Sequence, residues 1–400
     1  MRFYPSLALL AASSLSVAMP AGAPKSFPPK GGSFFETSGA AKKIRAPAGQ
    51  RKLLVGSPAN ITLFSFSATD GFVALTSDIL ADSGPSWMAL KAPSTLHAVN
   101  ENSNTIRQLG IDTDTDTLTP VTEVAASSGA VHLEFAPSGN QLISSVYGSG
   151  VVDVFSIGDN NNLALQSTWT MGAKGTSKPH QTLIDPSGKF AVTNDLGLNQ
   201  VIVTPIDASS SDSSKRFSAP DSCGPRHGAF LSGSNGAVLY AMVCETGNIV
   251  VMYTVATSGA ELTLTQTQTI STFPEGVSKP DARAGELVAS SDSRHVYVSN
   301  RLSGDDQDSI THYLVTDDGK LEHSQTVPSG GLLPRMMSLA TKCNDEDLLF
   351  VGNQGGEKGL VAFKLGDEGA IGDQVASLPI SVWGTAENSG PQFVQEIALC

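Results

Sequence analysis

Ionisable side chains recur at two kinds of position along this 400-residue chain, next to short apolar runs with the character of β-strands. One kind lies where a first run begins, and the other follows a second run. Brought together, three arginines, three histidines and two glutamates would hold an anion, polarise a carbonyl group and move a proton. The residues at the two kinds of position are Trp87, His132, His180, Arg226, His227 and Arg335, and Glu101, Tyr147, Asp195, Glu245, Arg301 and Gln354.

The elements that must position these residues form a repeat. A Pro-Ser-Gly turn marks it in two copies, Phe135–Gly139 and Ile184–Gly188. Each copy reads strand–turn–strand–loop–strand–turn–strand, with a period of roughly 45 to 58 residues, the size of a four-stranded propeller blade. Seven first strands are predicted, and they begin near Trp87, His132, His180, His227, Ala284, Arg335 and Phe393. The sequence therefore predicts an all-β, seven-bladed β-propeller.

The two ends of the repeat region are expected to pair. The strands predicted at Leu53–Val55 and Ile61–Ser67 have no inner partner, whereas Phe393–Ala398 has no blade of its own. Placing Phe393–Ala398 in the first blade closes the ring and leaves no open edge. Since antiparallel strands alternate in direction, the loop before each first strand and the loop after each second strand emerge at one face. Both kinds of ionisable position should therefore surround one mouth of the channel.

Composition limits the classes of function. The formal net charge is −13, and 40% of the residues are apolar, so the chain is neither disordered nor embedded in a membrane. An acidic surface argues against nucleic acid and anionic membranes as partners. The sequence lacks a G-x-S-x-G elbow, an H-E-x-x-H motif and a phosphate-binding P-loop. These features leave a small molecule as the expected partner, and the oligomeric state is open.

The N-terminus resembles a secretory signal peptide. Arg2 precedes the short apolar run Leu7–Leu15, and the small residues Ser16 and Ala18 predict cleavage after Ala18. We therefore expect a signal peptide over residues 1–18, a leader or flexible segment over 19–50, the propeller over 51–400, and a secreted protein. The Asn60-Ile61-Thr62 sequon predicts glycosylation of Asn60.

Four cysteines in an exported chain predict two disulfides, for which three pairings exist. Cys223 precedes the first strand of the fifth blade, and Cys244 ends the second strand of the same blade near the same mouth. We therefore expect a Cys223–Cys244 bond beside the site. By elimination Cys343 should pair with Cys400 and fasten the C-terminal strand to the last blade.

Six segments together carry a resemblance to a known family, namely Lys178–His180, Asn194–Gly197, Gly224–Phe230, Tyr297–Arg301, Leu333–Arg335 and Val351–Gln354. Through them the sequence from about residue 50 to residue 400 resembles the seven-bladed lactonase family, which includes bacterial 6-phosphogluconolactonases and fungal 3-carboxy-cis,cis-muconate lactonising enzymes. Cys244–Asn248 looks more like the muconate branch, whereas Pro225–His227 looks more like the phosphogluconolactonase branch.

The resemblance implies which residues are active. The active residues proposed for the muconate branch fall on His180, Arg226, Glu245 and Arg301. The other mouth residues become candidates for substrate binding, namely His132, Tyr147, Asp195, His227, Arg335 and Gln354. No metal or organic cofactor is implied.

Two classes of function follow from these expectations. In the first, the protein hydrolyses an anionic lactone or reversibly lactonises a carboxymuconate-like acid. Arg226 and Arg301 would hold the anion and polarise the carbonyl, and Glu245 or His180 would be the general base. In the alternative, the protein is a non-catalytic secreted propeller that serves as a binding platform, adhesin or antigen. An open pocket at Arg226, Glu245 and Arg301 favours the first class, and a filled, ion-paired channel favours the second.

Overall fold

Short apolar runs separated by Gly, Asn, Asp and Ser turns fold as β-strands over most of the described chain. The computed structural model describes residues 51–79, 84–173, 175–341 and 347–397. The remaining regular elements there are short 3₁₀ turns at Asp159–Asn161, Ser211–Ser213, Ser234–Gly236, Asp367–Gly369 and Ile380–Trp383. In chain order the strands are β1 (Arg51–Ser57), β2 (Asn60–Ser67), β3 (Gly71–Ile79), β4 (Met88–Lys91), β5 (Thr95–Val99), β6 (Thr105–Asp112), β7 (Thr117–Ala125), β8 (Ala130–Phe135), β9 (Gln141–Val146), β10 (Val151–Ile157), β11 (Leu163–Thr170), β12 (Pro179–Ile184), β13 (Phe190–Asp195), β14 (Gln200–Pro205), β15 (Lys215–Ser218), β16 (Pro225–Ser232), β17 (Val238–Cys244), β18 (Ile249–Ser258), β19 (Glu261–Ser271), β20 (Arg283–Ala289), β21 (His295–Arg301), β22 (Ser309–Val315), β23 (Leu321–Pro328), β24 (Leu332–Leu339), β25 (Leu348–Gly355), β26 (Lys358–Leu365), β27 (Ile371–Pro379) and β28 (Phe393–Ile397).

The strands form seven four-stranded antiparallel sheets, which are the blades of a seven-bladed propeller. Blades 2 to 7 each use four consecutive strands, beginning with β4, β8, β12, β16, β20 and β24. Within each of these blades the strand order follows the chain. First strands of neighbouring blades contact one another, as β12 contacts β16 and β16 contacts β20. The first strands therefore form the inner ring around the central channel, and the prediction of a seven-bladed propeller is confirmed.

Blade 1 is built from both ends of the propeller. Its strand order is β28-β1-β2-β3, and β28 runs antiparallel to β1. Leu53 pairs with Glu396, Leu54 with Gln395 and Val55 with Val394. The C-terminal segment therefore supplies the inner strand of the first blade, as the sequence predicted.

The apolar core is divided among the spaces between blades. One buried cluster joins blades 7, 1 and 2 and includes Leu53, Phe350 and Phe393. Another joins blades 5 and 6 through residues such as Leu239 and Val298. Second strands are covered on both faces, whereas fourth strands such as β7 are largely exposed. Each blade is thus held by its neighbours, and the loops at the rim are free to carry the site.

Other sequence predictions concern the disulfides, the N-terminal segments and the glycosylation site. Cys223 and Cys244 form the predicted disulfide, with an S–S distance of 1.96 Å. Cys343, Cys400, Ala398 and residues 1–50 lie outside the described residues, so the second disulfide, the signal peptide and the leader stay predictions. Asn60 begins β2 and is half-buried, and its glycosylation also stays a prediction. No helix in the described ranges is both long and apolar enough to cross a membrane.

Candidate active site

The side chains of the site are carried by irregularities in the inner strands. In blades 3 to 7 the pairing of the first strand with the second shifts register near the mouth. The residues passed over by these shifts include His180, Arg226, His227, Glu286 and Arg335. A bulge turns a strand locally and redirects its side chains. The fold therefore places one or two ionisable groups from each of blades 4 to 7 at the mouth of the channel.

A carboxylate links two arginines at the centre of the site. Glu245 Oε2 lies 2.9 Å from Arg226 Nε and 3.0 Å from Arg301 Nη2. Arg226 also donates from Nη1 to the Gly285 carbonyl at 2.9 Å, and Arg301 donates from Nη2 to the Ala284 carbonyl at 3.1 Å. The side chain of Arg226 is only 2% exposed, against 13% for Arg301 and 22% for Glu245. Arg301 and Glu245 are thus the members of this bridge that a ligand can reach.

The charges of the bridge follow from its burial and its partners. Burial opposes ionisation of the Glu245 carboxyl, but Arg226 and Arg301 outweigh it and hold the pKa below its usual value. Burial, assisted by Arg226, lowers the pKa of Arg301 to about 10, and Glu245 opposes that shift. All three groups are therefore charged at neutral pH. Two guanidinium groups beside one carboxylate leave surplus positive charge, which suits an anionic ligand.

A second network, made of one glutamate and two histidines, lies beside the bridge. Glu286 Oε1 is 2.7 Å from His227 Nδ1, and His227 Nε2 is 3.0 Å from His180 Nδ1. Each residue belongs to a different blade, since Glu286 lies on β20, His227 on β16 and His180 on β12. Both His180 Nδ1 and His227 are engaged, so His180 Nε2 is the ring nitrogen available to water or substrate. We call Glu286, His227 and His180 the relay.

Burial sets the protonation of the relay. It raises the pKa of Glu286 to about 8, against the opposing effect of Arg226. Within the described part of the chain no hydrogen-bond partner lies within reach of Glu286 Oε2, which also disfavours the ionised form. Burial, followed by the charge of Arg226, lowers the pKa of His180 and of His227 well below the usual value. The relay therefore accepts a proton on its carboxyl end more readily than on an imidazole.

Other predicted residues surround these two networks. Arg335 Nη2 lies 2.7 Å from Glu101 Oε2, and both side chains are partly exposed. Tyr147 meets His180 edge to face, with ring centroids 5.7 Å apart, and Lys178 Nζ lies 4.8 Å from the centre of the tyrosine ring. These groups form the rim of the mouth, where they would contact a bound molecule.

His132 occupies the floor of the site. Its ring is fully buried and packs against Trp87 with centroids 4.3 Å apart. Neither ring nitrogen has a hydrogen-bond partner among the described residues. Burial, with a smaller effect of His227, lowers its pKa well below the usual value. His132 is therefore a neutral part of the apolar support beneath His227.

Two predicted substrate-binding residues lie apart from the arginine bridge. Asp195 is fully buried, and it accepts hydrogen bonds from Ser177 Oγ at 2.5 Å, Lys178 N at 2.8 Å and Leu198 N at 2.9 Å. That carboxylate has no exposed surface and braces the loop that holds Lys178. Gln354 lines a separate groove between blades 6 and 7 at the same face. The structure thus brings together the four predicted catalytic residues with His227 and Arg335, and it places Asp195 and Gln354 elsewhere.

Glu286 is the functional residue that sequence reasoning missed. It is 2% exposed and follows Gly285 at the start of blade 6, in the position that Arg226 and His227 occupy in blade 5. Alignment of the repeats at their first strands contains this signal. Glu286 is difficult to recognise in the sequence because apolar residues follow it directly and no loop motif precedes it.

The Cys223–Cys244 disulfide fixes the loop that carries Glu245. Cys244 is the residue before Glu245, and the Glu245 N–H donates to the Gly224 carbonyl at 2.8 Å. The Thr246 N–H donates to the Cys223 carbonyl at 3.1 Å. The bond therefore lies directly behind the carboxylate that joins the two arginines.

A cavity at the centre of the site is narrow. Its lining includes Trp87, His180, Arg226, Glu286 and Arg335, and its volume is about 10 Å³. That is room for a single water molecule at most. The channel is thus ion-paired and nearly filled, which by itself is the arrangement expected of a binding platform. A substrate would therefore have to bind above the relay, at the rim formed by the partly exposed side chains, and the case for an enzyme rests on the family rather than on an open pocket.

Comparison with known proteins identifies the family. A protein of Arthroderma benhamiae named as a probable 6-phosphogluconolactonase is 31% identical over 272 residues, which are 63% of this chain and 67% of that protein. An uncharacterized protein of Staphylococcus aureus is 27% identical over 240 residues, 57% of this chain and 65% of that protein. The structure of a periplasmic gluconolactonase of Pseudomonas aeruginosa has the same fold, with a TM-score of 0.73, 21% identity, and coverage of 88% of this chain and 100% of that one. Residues 52–382 match the family described as lactonase, 7-bladed beta-propeller, and the chain therefore belongs to the seven-bladed β-propeller lactonase family.

Proposed function

We propose that the protein is a lactonase that hydrolyses an anionic lactone at the mouth of the channel. Membership of the lactonase family supports a lactone as the substrate class. The observation that carries the proposal is the placement of the Arg226–Glu245–Arg301 bridge beside the relay. The bridge supplies positive charge for a carbonyl oxygen, and the relay supplies a base for water. Lactone hydrolysis needs both functions within a few ångströms of each other.

The arginines divide between support and contact. Arg226 is deeply buried and bonded to Glu245 and to the Gly285 carbonyl, so it fixes the bridge. Arg301 and Arg335 are the partly exposed cations. Arg301 faces the lactone carbonyl and stabilises the negative charge that develops on its oxygen. Arg335 attracts the carboxylate or phosphate of the substrate.

The relay takes the proton from the attacking water. With Glu286 ionised, His227 donates from Nδ1 to Glu286, His180 donates from Nδ1 to His227, and His180 Nε2 carries a lone pair. Water then gives a proton to His180 Nε2 as its oxygen bonds to the carbonyl carbon. The Nδ1 proton of His180 passes to His227 Nε2, and the Nδ1 proton of His227 passes to the Glu286 carboxylate, which becomes neutral. No imidazolium has to persist beside the buried arginines, where it would be costly.

The second half of the reaction reverses these transfers. The tetrahedral intermediate collapses, the ring C–O bond breaks, and the leaving alkoxide takes a proton from His180 Nε2. The product is an open-chain hydroxy acid, and the relay returns to its ionised state. Glu245 is not the base in this scheme, because its two arginines keep its pKa low.

A hydrolysis screen tests the proposal. The purified protein is incubated with acidic lactones, with neutral lactones and with carboxymuconate, and ring opening is followed by acid release at constant pH. We expect turnover of acidic lactones with a higher kcat/KM than that of neutral lactones of equal size. Conversion of carboxymuconate alone would assign the cycloisomerase reaction instead. The absence of turnover with all of these compounds would overturn the lactonase proposal and favour a binding platform.

We further propose that the protein is exported and loses residues 1–18. The Cys223–Cys244 disulfide supports this proposal, because such bonds persist mainly in oxidising compartments. Expression in a secreting host followed by N-terminal sequencing tests it. Recovery in the medium with Met19 as the first residue is expected, whereas retention in the cell with an intact N-terminus would contradict export.

A further inference from the structure

A groove adjoins the site at the same face of the propeller. Its volume is about 540 Å³, within the range of small-molecule pockets and far larger than the cavity at the centre of the site. The loops of blades 6 and 7 form most of its wall, and the lining includes Leu302, Leu332, Leu333, Gln354 and Ile380. The wall is mostly apolar, although Asp305, Asp308 and Glu387 also line it, and it contains Gln354, one of the two predicted mouth residues that lie apart from the arginine bridge.

Two of the groove's leucines are held in an unusual backbone conformation. Leu302 has φ = 58° and Leu333 has φ = 56°, in the left-handed region that bulky residues rarely adopt. Leu302 is 55% exposed, which is high for a large apolar side chain. Strain of this kind persists only where the surroundings enforce it, and it is concentrated at ligand sites.

One buried carboxylate enforces both conformations. Asp308 Oδ2 accepts from the Leu302 N–H at 3.1 Å and from the Leu333 N–H at 2.8 Å, and Oδ1 accepts from the Ser303 N–H at 2.8 Å. Asp308 is 1% exposed. It therefore ties the loop of blade 6 to the start of β24, the first strand of blade 7, and both leucines line the groove.

Two leucines of the groove are near neighbours in sequence of the exposed arginines, which do not themselves line it. Leu302 is the residue after Arg301, and Leu333 lies two residues before Arg335. A molecule whose charged or carbonyl end contacts Arg301 and Arg335 would therefore extend past Leu302 and Leu333 to reach the groove. Inward extension is blocked, because the cavity there has room for one water at most.

We infer that this groove binds the apolar chain of the substrate, so that the preferred ligands are lactones and hydroxy acids with an extended alkyl substituent. The inference rests on the proposed function only in that the ligand is called a substrate. The binding of an alkyl carboxylate to the groove is a separate property. The apolar chain lies along Leu302, Leu333 and Ile380, and the polar end lies on Arg301 and Arg335. Each methylene transferred from water to such a wall tightens binding by about threefold to fourfold.

Binding of a homologous series tests the groove directly. Butanoate, hexanoate, octanoate and decanoate are titrated into the full chain by calorimetry. Two variants remove the groove: Leu302→Gln makes its wall polar, and Gly355→Phe fills it. A Cβ atom added at Gly355 would meet no atom closer than 3.6 Å, so a side chain can leave the backbone there without a clash. The matched control is Leu165→Gln on β11, where a leucine that is 44% exposed lies outside the groove.

The wild-type protein and Leu165→Gln should bind more tightly with each added methylene, whereas both groove variants should bind the four acids with nearly equal affinity. A flat series in the wild-type protein, or a wild-type series in the groove variants, would overturn the inference. Hydrolysis of γ-lactones with matching alkyl chains separates the two proposals. Turnover that does not depend on chain length would contradict the groove proposal and support the lactonase proposal. Carboxylate binding that depends on chain length, without any turnover, would support the groove proposal and contradict the lactonase proposal.

Discussion

Arg226 is the most deeply buried cation of the site, and its geometry depends on the planar guanidinium group. Nε contacts Glu245 while Nη1 contacts the Gly285 carbonyl, so one side chain reaches two acceptors in different directions. A lysine has one compact ammonium group and cannot reproduce this fork. The consequence is that a change conserving the charge should still disturb the bridge.

Arg226→Lys should loosen the bridge and displace Arg301, the proposed donor to the carbonyl oxygen, so it is expected to reduce kcat/KM for an acidic lactone by about 10²- to 10³-fold. Steady-state kinetics measures the loss, and thermal melting checks that the variant is folded. Arg216→Lys, on the exposed strand β15, is the control and should have wild-type kinetics. A folded Arg226→Lys variant with full activity would show that the bridge has no part in turnover.

Glu286 determines the pH at which the relay can accept a proton. Its pKa of about 8 means that the base form becomes populated as pH rises through that value. We expect kcat/KM to rise with pH and to level off above about 8. Glu286→Gln cannot take up the proton, so it should lower activity by about 10²- to 10⁴-fold and remove this inflection.

A matched variant separates the relay from buried carboxyls in general. Burial also raises the pKa of Glu134, to about 7, but this residue is not hydrogen-bonded to the relay. Glu134→Gln should keep both the rate and the inflection near pH 8. If Glu286→Gln has a wild-type pH profile, the proton passes through another group.

The raised pKa of Glu286 also makes the stability of the fold depend on pH. The pKa of Glu286 is about 8 when folded and near its usual value of 4.5 when unfolded, so the folded state binds more protons between these values. The free energy of unfolding should therefore fall as pH rises through this window. Glu286→Gln should reduce that slope, and denaturant titrations at several pH values measure it.

At the scale of elements, the β-bulges of the inner strands build the site. In blade 6 the bulge contains Gly285 and Glu286, and a Cβ atom added at Gly285 would lie 2.5 Å from Ser299 Oγ and 3.0 Å from the Pro334 carbonyl oxygen. Ser299 Oγ also accepts the hydrogen bond of the Glu286 N–H. The glycine thus permits close packing of blades 6 and 7 while the next residue carries the relay's carboxyl group.

Gly285→Ala is expected to destabilise the protein by about 1–3 kcal/mol, the usual cost of overpacking, and to lower kcat/KM through displacement of Glu286. Gly158→Ala is the control, because a Cβ there would meet no atom closer than 3.8 Å. Denaturant unfolding and kinetics are measured on both variants. Equal stability and activity of the two would contradict the role given to this bulge.

The strands and bulges also explain which site residues could be predicted from the sequence. The turn residues and apolar runs indicated seven blades, and strand direction alone placed His180, Arg226, Glu245 and Arg301 at one mouth. The alternation of a regular strand does not reveal which residue a bulge turns inward, and Glu286 was missed for that reason. Asp195 satisfied the same loop rule as Glu245, but its loop folds over it and uses its carboxylate for three internal hydrogen bonds.

The net charge of the whole molecule is opposite in sign to the charge at the mouth of the channel. The chain carries a formal net charge of −13, yet the mouth gathers Arg226, Arg301, Arg335 and Lys178 around Glu101 and Glu245. Since surface charges farther away than about 8–10 Å are screened at ordinary ionic strength, this local excess governs the ligand. The proposed anionic substrate is therefore compatible with the acidic composition of the chain.

The ring itself depends on one strand. Phe393 and Val394 have no exposed surface, Ile397 is 5% exposed, and β28 covers the edge of β1. Burying each of these side chains contributes about 1.5–3 kcal/mol, so together they rival the 5–15 kcal/mol that stabilises a typical domain. Without β28 the first blade would have an open edge, which favours association with other chains.

A chain that ends at Gln392 should therefore fail to fold or should aggregate, whereas a chain that ends at Ile397 keeps β28 and should behave as the full protein does. Both are made with Cys343→Ser, so that the predicted bond between Cys343 and Cys400 does not differ between them. Size-exclusion chromatography with light scattering measures association, and thermal melting measures folding. Because the site draws its residues from blades 4 to 7 while β28 belongs to blade 1, loss of lactone turnover on this truncation would arise from opening of the ring. A shortened chain that elutes as the control does and melts within a few degrees of it would show that the other six blades hold the ring without β28.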